Sequence, residues 1–216
     1  RGNSAFELNP RTEVSLNFRG WQGVTKRAID IVISFTGLML ALPLFLLSAL
    51  AIRLGDSGPI FYRLTCLGRH RREFTRIRFR TIRADAGLEA SITHNVGRTQ
   101  VGRFLEKTEL HNLPSLLSIL KGDMSLIGPE PQPRRDSYPR TGWATILLEV
   151  RPGLISLANV MAGARQKALI PEHQILWDIF YVNHWSLTMD AKISWWVIKS
   201  ALLGRGDPPN AGSLRT

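Results

Sequence analysis

Cysteine and acidic residues are both scarce in this chain. Cys66 is the single cysteine among 216 residues, so a disulfide within the chain is excluded, and this composition fits a reducing compartment. The chain has 17 Asp and Glu against 28 Lys and Arg, which gives a formal net charge of +11. So large a deficit of acids indicates an anionic partner such as nucleic acid, a membrane surface or a phosphorylated ligand.

Charge is absent altogether from residues 31–52, which read IVISFTGLMLALPLFLLSALAI. A run of this length is sufficient for a helix to cross the hydrocarbon core of a bilayer. The run is too long, and too far from the first residue, to be typical of a signal peptide. It predicts a membrane-inserted helix over residues 25–53, preceded by an N-terminal arm over residues 1–24. A buried helix in a soluble core is the alternative.

Basic residues flank the apolar run on both sides, with Lys26 and Arg27 before it and Arg53 and Arg63 after it. Because cytoplasmic loops carry an excess of Lys and Arg, both ends of the run are predicted to lie in the cytoplasm. Pro43 removes one backbone hydrogen bond in the middle of the run and bends a helix there. We therefore predict a re-entrant helix bent at Pro43, and a single complete span remains the alternative.

Arginines alternate with apolar residues in the sequence FTRIRFRTI. As a β-strand, this alternation places Arg76, Arg78 and Arg80 on one face. Guanidinium groups match phosphate oxygens in pairs, so these residues, together with Arg103, are predicted to bind phosphates or lipid headgroups. A solvated basic edge strand is the alternative. Nucleic acid is not expected as a partner, because the basic run has no recognised motif and no interleaved stacking aromatics.

The remainder, residues 54–204, predicts one globular domain of the α/β class that is mostly helical and contains a small sheet. Trp195 and Trp196 beside Lys192 and Lys199 suit a helix lying in the membrane interface, although packing in a core explains the tryptophans equally well. A flexible C-terminal tail is expected after residue 204. The predicted strands cover residues 59–65 and 74–82. Residues 101–120 are predicted to be helical, with Pro114 near the start of a second helix, and further helices are predicted over 164–181 and 187–203.

Several short motifs occur in order along the chain, namely KRAIDIVIS, GPIFY, FRTI, VGRFL, KGDMSLIGP, VRPG and DIFYVNHWSLTMD. Together they resemble the bacterial sugar transferase family, the monotopic phosphoglycosyl transferases that start exopolysaccharide and glycoconjugate assembly. The resemblance covers residues 25–204. It implies a re-entrant helix at the cytoplasmic face of the bacterial inner membrane. It also implies transfer of a sugar phosphate from a nucleotide diphosphate sugar to polyprenyl phosphate with Mg²⁺.

The segment LEKTELHNLPSL departs from the pattern of that family at the reaction centre. By the resemblance, His111 stands in place of a catalytic Asp and Asn112 in place of the Glu that follows it. That chemistry requires a carboxylate nucleophile and a bound divalent cation, and Mg²⁺ prefers carboxylate to a neutral amide. Glu109 cannot substitute, because two residues of helix turn its side chain about 200° away from position 111.

Further departures lie nearby. Glu106 and Glu130 stand where the resemblance implies arginines facing phosphate oxygens, and each reversal costs on the order of 1 to 4 kcal/mol at contact distance. The loop LISLANVMAGA, residues 154–164, also replaces the ITGWAQVNGR of the family. We therefore predict a catalytically silent relative, a pseudoenzyme without a cofactor, that serves as a structural or interaction subunit of a membrane assembly. Its expected partners are anionic lipids and another membrane protein.

An active transferase is the alternative, with His111 as the nucleophile and Mg²⁺ as the cofactor. Among the remaining polar residues, Asp123 is expected to hold a turn rather than a metal ion. The histidines have no spacing typical of metal ligands, so no metal site is predicted. The residues that match the family elsewhere, and that could equally join helices to the core, are Asp178, Tyr181, Asn183 and Asp190.

Overall fold

A computed structural model describes residues 20–83, 97–134, 143–165 and 171–203. The predicted tail and most of the predicted N-terminal arm lie outside these residues. The α-helices among these residues are α1 Trp21–Leu40, α2 Leu42–Gly55, α3 Gln100–Lys107, α4 Leu116–Lys121, α5 Trp143–Leu147, α6 Leu157–Arg165, α7 Pro171–His184 and α8 Leu187–Leu203. The β-strands are β1 Phe61–Leu67, β2 Glu73–Phe79, β3 Ser125–Ile127, β4 Gln132–Pro133 and β5 Gly153–Ile155.

The apolar run forms two helices, α1 and α2, that meet at an angle of 61°. The break falls at Ala41, and Pro43 lies in the first turn of α2. A proline ring clashes with the carbonyl four residues earlier, so the helix breaks just ahead of Pro43 rather than at it. Helix α1 begins at Trp21, four residues before the predicted boundary. Within the described residues, no single helix is long and apolar enough to cross a membrane. The two helices of this bent pair together meet that requirement by length and composition.

The described residues form two small sheets, where one was expected. The first has the antiparallel order β2-β1-β4, in which Leu64 pairs with Arg76 and Tyr62 pairs with Arg78. Its strands β1 and β2 confirm the two predicted strands to within three residues. The second sheet pairs β3 and β5 in parallel. The backbones at Gly128 and Gly153 lie so close together that a Cβ added at Gly153 would be 2.1 Å from the Gly128 amide nitrogen. Glycine at position 153 therefore permits this approach.

The stretch predicted to be helical over residues 101–120 forms two helices, and the second begins at Leu116, close to the predicted start near Pro114. Helix α3 ends at Lys107, a 3₁₀ turn follows over Leu110–Ser115, and α4 continues from Leu116. Glu109 breaks the helix because its φ of 59° lies in the left-handed region. Gly122 ends α4 with a φ of 99°, as its position in KGDM predicts. Of the helix predicted over 164–181, residues 164 and 165 end α6 and residues 171–181 lie in α7, while residues 166–170 lie outside the described residues; α8 matches its prediction.

The apolar side chains divide between a core and an exposed surface. Trp185, Tyr181 and Phe180 belong to the larger core cluster, and Trp196 packs against it. Trp195 is 69% exposed, so the two adjacent tryptophans have different environments. The bent pair α1–α2 presents many large apolar side chains to the outside, among them Val32, Leu40, Leu46, Leu47, Leu50 and Leu54. A surface of this kind is typical of contact with lipid or another protein.

Buried polar contacts fix α1 to the globular domain. Lys26 Nζ lies 2.6 Å from Asp190 Oδ2, and the same carboxylate accepts hydrogen bonds from the Tyr181 hydroxyl and the Trp185 indole. One turn along α1, the Asp30 carboxylate accepts a 2.7 Å hydrogen bond from the Ser125 hydroxyl at the start of β3. Asp190 and Tyr181 therefore join helices to the core, which was one of their two expected roles.

Candidate functional site

Strand β2 and the 3₁₀ turn bring together four of the residues singled out by the sequence. The Arg78 guanidinium donates to Asn112 Oδ1 at 2.9 Å through Nε, and its Nη2 lies 2.9 Å from His111 Nε2. Arg76 Nη2 also reaches Asn112 Oδ1, at 3.4 Å. The turn is held against β2 by Ser115, whose hydroxyl donates to the Ile77 carbonyl oxygen. His111 and Asn112, where the resemblance implies the acid pair, therefore both contact Arg78, and Asn112 also contacts Arg76.

The contacts of His111 define its protonation state. A guanidinium group can only donate, so Nε2 accepts from Arg78, while Nδ1 lies 3.3 Å from the Leu105 carbonyl oxygen and donates to it. Burial of the ring, followed by the nearby charge of Arg78, lowers the pKa of His111 to about 4. Burial and the charge of Arg76 likewise lower the pKa of Arg78 to about 10. At neutral pH the ring is neutral and the arginine is charged.

Glu130 lies on the other side of Arg76. Its carboxylate is 3.7 Å from Arg76 Nη1 and accepts hydrogen bonds from the Asn159 amide and the Ser156 hydroxyl. Its backbone amide donates to Asp178 Oδ2 at 2.8 Å. Burial raises the pKa of Asp178 to about 8, and its Oδ1 has no hydrogen-bond partner. The negative charge of Glu130 is thus balanced by an arginine within the chain.

Arg76, Arg78, His111, Asn112 and Glu130 line a cavity of about 510 Å³. A volume of this size is typical of sites for small organic ligands. Its two arginines suit a phosphate, and its apolar side chains suit a hydrocarbon or ring attached to it. The polar lining residues are Arg76, Arg78, Glu109, His111, Asn112, Glu130 and Asn159, and the apolar ones are Leu113, Leu116, Leu154, Ile155, Val160, Trp196 and Val197.

The other predicted phosphate ligands lie elsewhere. Arg80 was expected to share a face with Arg76 and Arg78, but β2 ends at Phe79 and the Arg80 guanidinium turns to Asp56, 3.2 Å away. Arg103 is exposed on α3 and is not among the residues that line the His111 cavity.

Glu106 is also outside this cavity. Its carboxylate accepts a 2.8 Å hydrogen bond from the Thr81 hydroxyl and lies 3.0 Å from Arg98 Nε. Like Glu130, it is paired with an arginine of the same chain. Both acids at positions where the resemblance implies arginine therefore have a basic partner within the fold.

Residues 21–204 match the bacterial sugar transferase family, and the chain belongs to it. It is 37% identical over 176 residues to a UDP-glucose:undecaprenyl-phosphate glucose-1-phosphate transferase of Caulobacter vibrioides, covering 78% of this chain and 66% of that protein. It is 31% identical over 202 residues to the exopolysaccharide production protein ExoY of Rhizobium meliloti, covering 85% and 88% of the two chains.

A third relative is longer. The chain is 31% identical over 187 residues to a UDP-N-acetylgalactosamine-undecaprenyl-phosphate N-acetylgalactosaminephosphotransferase of Aeromonas hydrophila. That alignment covers 84% of this chain but only 44% of the relative. The chain therefore spans less than half of one relative and about two thirds of the Caulobacter protein.

The resemblance implies Mg²⁺ at the acid pair, but the residues present here do not fit that ion. Mg²⁺ is usually held through carboxylate oxygens, and the two positions supply an imidazole and a neutral amide. Both of these acceptors already receive hydrogen bonds from Arg78. Among the residues that the structure describes, no three His, Cys, Asp or Glu side chains converge to hold a metal ion.

Sequence reasoning missed two participants in these contacts. Asn159 binds Glu130, and Arg98 binds Glu106. Asn159 lies near the start of α6, in the segment LISLANVMAGA that was expected to be a loop. The departure of this segment from the family pattern was a usable signal, because a new partner is needed where a charge is reversed. No comparable pattern pointed to Arg98.

Proposed function

We propose that this protein is a membrane-bound member of the bacterial sugar transferase family that holds a phosphorylated ligand at Arg76 and Arg78 without catalysing sugar-phosphate transfer. The observation that carries this proposal is the pair of hydrogen bonds from Arg78 to His111 and Asn112. These bonds hold the Arg78 guanidinium at the cavity and occupy the His111 nitrogen and the Asn112 oxygen, which stand where the resemblance implies the catalytic acids.

The left-handed backbone at Glu109 brings its carboxylate into the cavity, 4.0 Å from His111 Nδ1, which contradicts the expectation from helix geometry; its Oε2 accepts a 2.9 Å hydrogen bond from the Asn112 amide. We propose that none of the groups lining the cavity acts as the nucleophile. The Nε2 lone pair of His111 is occupied by Arg78, and a pKa of about 4 makes the imidazole a weak base. The amide of Asn112 is not nucleophilic. Glu130 is engaged by Arg76 and Asn159. In the covalent chemistry that the resemblance implies, the first step requires an unoccupied nucleophile, and this step is therefore the one we propose to be lost.

The bent pair α1–α2 supports a place in the membrane. Its outward side chains are apolar, and the buried contact between Lys26 and Asp190 fixes its start against the domain. We infer that the pair enters and leaves on the cytoplasmic face of the bacterial inner membrane as a re-entrant element, in contact with anionic lipids. Relatives named for transfer to undecaprenyl phosphate support a lipid ligand. A silent member of this kind would act as a structural or interaction subunit alongside another membrane protein.

A second candidate is an active phosphoglycosyl transferase of exopolysaccharide synthesis, and the names of the relatives favour it. In this case Arg78 would have to release His111, whose Nε2 would attack the phosphorus atom that carries the sugar. A phosphorus–nitrogen bond would form, and the bond to the nucleoside monophosphate would break. Polyprenyl phosphate would then take the sugar phosphate from the histidine.

Turnover of a panel of nucleotide diphosphate sugars with polyprenyl phosphate and Mg²⁺ separates the two candidates. The purified chain is compared with His111→Ala and with a double variant, His111→Asp with Asn112→Glu. We expect no turnover by the native chain. Turnover that His111→Ala abolishes, together with a sugar phosphate adduct on His111 by mass spectrometry, would establish the second candidate instead.

Ligand binding is measured separately, so that a silent protein still gives a result. Arg78→Gln is expected to weaken binding of polyprenyl phosphate on the order of tenfold, because one charge-assisted contact is lost. Arg72→Gln is the matched control, since this arginine is exposed and does not line the cavity. Equal binding by both variants would refute a phosphate site at Arg78. Purification from native membranes tests the subunit role, and a pool without any partner would contradict it.

A further inference from the structure

Helix α3 has an outward face that combines cations with an aromatic ring. Gln100, Arg103, Phe104 and Lys107 are exposed, and their spacing of three and four residues places them on one face of the helix. Leu105 turns towards the domain and is buried. The Phe104 ring is 59% exposed and lies between the two cations. An exposed aromatic ring flanked by long cationic side chains is typical of a helix that lies in a membrane interface.

The charge on this outward face is positive. Among the described residues, no acid forms an ion pair with Arg103 or Lys107. The acids nearest in sequence are directed elsewhere: Glu106 lies 3.0 Å from Arg98 Nε, and Glu109 lines the His111 cavity. The left-handed backbone at Glu109 ends the helical stretch and turns that carboxylate into the cavity. The outward face of α3 therefore suits an anionic partner.

The end of α2 continues this face with apolar side chains. A Cβ added at Gly55 would lie 3.6 Å from Val101 Cγ2, so the last residue of α2 packs against the first turn of α3. Leu54, which precedes Gly55, is 78% exposed, and Arg53 beside it is also exposed. The apolar surface of the bent pair thus reaches the start of α3, where it is followed by cations. Hydrocarbon and anionic headgroups follow one another in the same order in a bilayer.

We propose that the outward face of α3 docks on a membrane surface that contains anionic phospholipids, with Phe104 inserted below the headgroups and Arg103 and Lys107 at their phosphates. The continuity with α2 and the unopposed positive charge favour a lipid surface as the partner. The proposal rests on the membrane insertion that we propose for the bent pair. It does not depend on a ligand in the His111 cavity, because none of these three residues lines that cavity.

The test uses the full chain in nanodiscs of phosphatidylglycerol or of phosphatidylcholine, with a nitrobenzoxadiazole label on one introduced cysteine. Cys66 is fully buried, so the native chain is the labelling control. Phe104→Cys carries the label on α3, and the label restores an apolar ring there. Leu47→Cys marks the exposed apolar surface of α2, and Thr75→Cys marks an exposed position on β2. The rate at which dithionite reduces the label reports how often each position meets water.

In phosphatidylglycerol, the labels at positions 104 and 47 are expected to be reduced much more slowly than the label at Thr75. Each cation near an anionic surface changes a docking equilibrium roughly fivefold, so Arg103→Gln with Lys107→Gln should speed reduction at position 104 on the order of thirtyfold. The same pair of substitutions should have little effect in phosphatidylcholine. Arg63→Gln with Arg72→Gln is the matched control, because it removes the same charge from exposed positions outside α3, and it should change the rate by less than about twofold.

The outcomes separate this proposal from the insertion of the bent pair. A label protected at position 47 but reduced rapidly at position 104 overturns docking of α3 and leaves the insertion intact, whereas rapid reduction at both positions overturns both. Equal effects of the two double variants overturn the role of Arg103 and Lys107. Protection of position 104 in native membranes but not in nanodiscs overturns a lipid partner in favour of a protein. Circular dichroism confirms that each variant is folded.

Discussion

Acidification is the perturbation that most directly tests the environment of His111. The ring is held between the Arg78 guanidinium and the Leu105 carbonyl oxygen, and its side chain is 12% exposed. Protonation would place a second positive charge 2.9 Å from Arg78 and would remove the lone pair that accepts the hydrogen bond. The fold therefore favours the neutral ring.

The sign and size of the effect follow from the two pKa values. The unfolded chain binds a proton at His111 near its ordinary pKa of 6.5, whereas burial and Arg78 lower the pKa in the folded chain to about 4. The stability associated with the neutral ring is fully present above pH 6.5 and is lost as the pH falls towards 4. A difference of this size corresponds to roughly 3 kcal/mol of unfolding free energy.

The measurement compares the native chain with His111→Gln, which keeps an acceptor for Arg78 but does not titrate. Denaturant unfolding in neutral detergent is followed between neutral pH and pH about 4. The native chain should lose roughly 3 kcal/mol more than the variant over this interval. Chemical-shift titration of ¹³C-labelled histidine gives the pKa directly. Equal losses by the two proteins, or a ring that titrates near 6.5, would refute the contact with Arg78.

Local patterns in the sequence were sufficient for the elements that depend on local physics. The uncharged run predicted the apolar helix pair, and the alternation around Ile77 predicted β2. Gly122 marked the end of α4 because its left-handed φ is one that glycine adopts readily. These features depend on residues within a few positions of one another, so they can be predicted without knowledge of the tertiary structure.

Contacts between segments that are distant in sequence could not be predicted in the same way. The alternation placed Arg80 with Arg76 on one face, but the strand ended one residue before Arg80 and the tertiary structure provided Asp56 as its partner. The sequence alone indicated an isolated charge reversal at Glu130, but in the structure Arg76 Nη1 lies 3.7 Å from Glu130 Oε1. A single sequence shows where a charge changes. It does not show which distant residue has come to balance that charge, since such pairing depends on the folded chain.

Two further predictions concern the packing of the helices on the domain. Lys26→Met leaves the Asp190 carboxylate buried without its cation, so it should lower the unfolding free energy by about 3 to 5 kcal/mol in denaturant titrations. Adding Asp190→Asn to this variant should restore part of the lost stability. An unchanged unfolding free energy in Lys26→Met would contradict a buried ion pair. Gly102→Ala would place a Cβ 2.0 Å from the Thr81 carbonyl oxygen, a backbone atom that cannot rotate away, so α3 must shift from the strand. We expect a large fall in thermal stability. Gly37→Ala is the control, since its Cβ meets nothing closer than 4.0 Å, and equal effects of the two substitutions would show that α3 does not depend on this close approach.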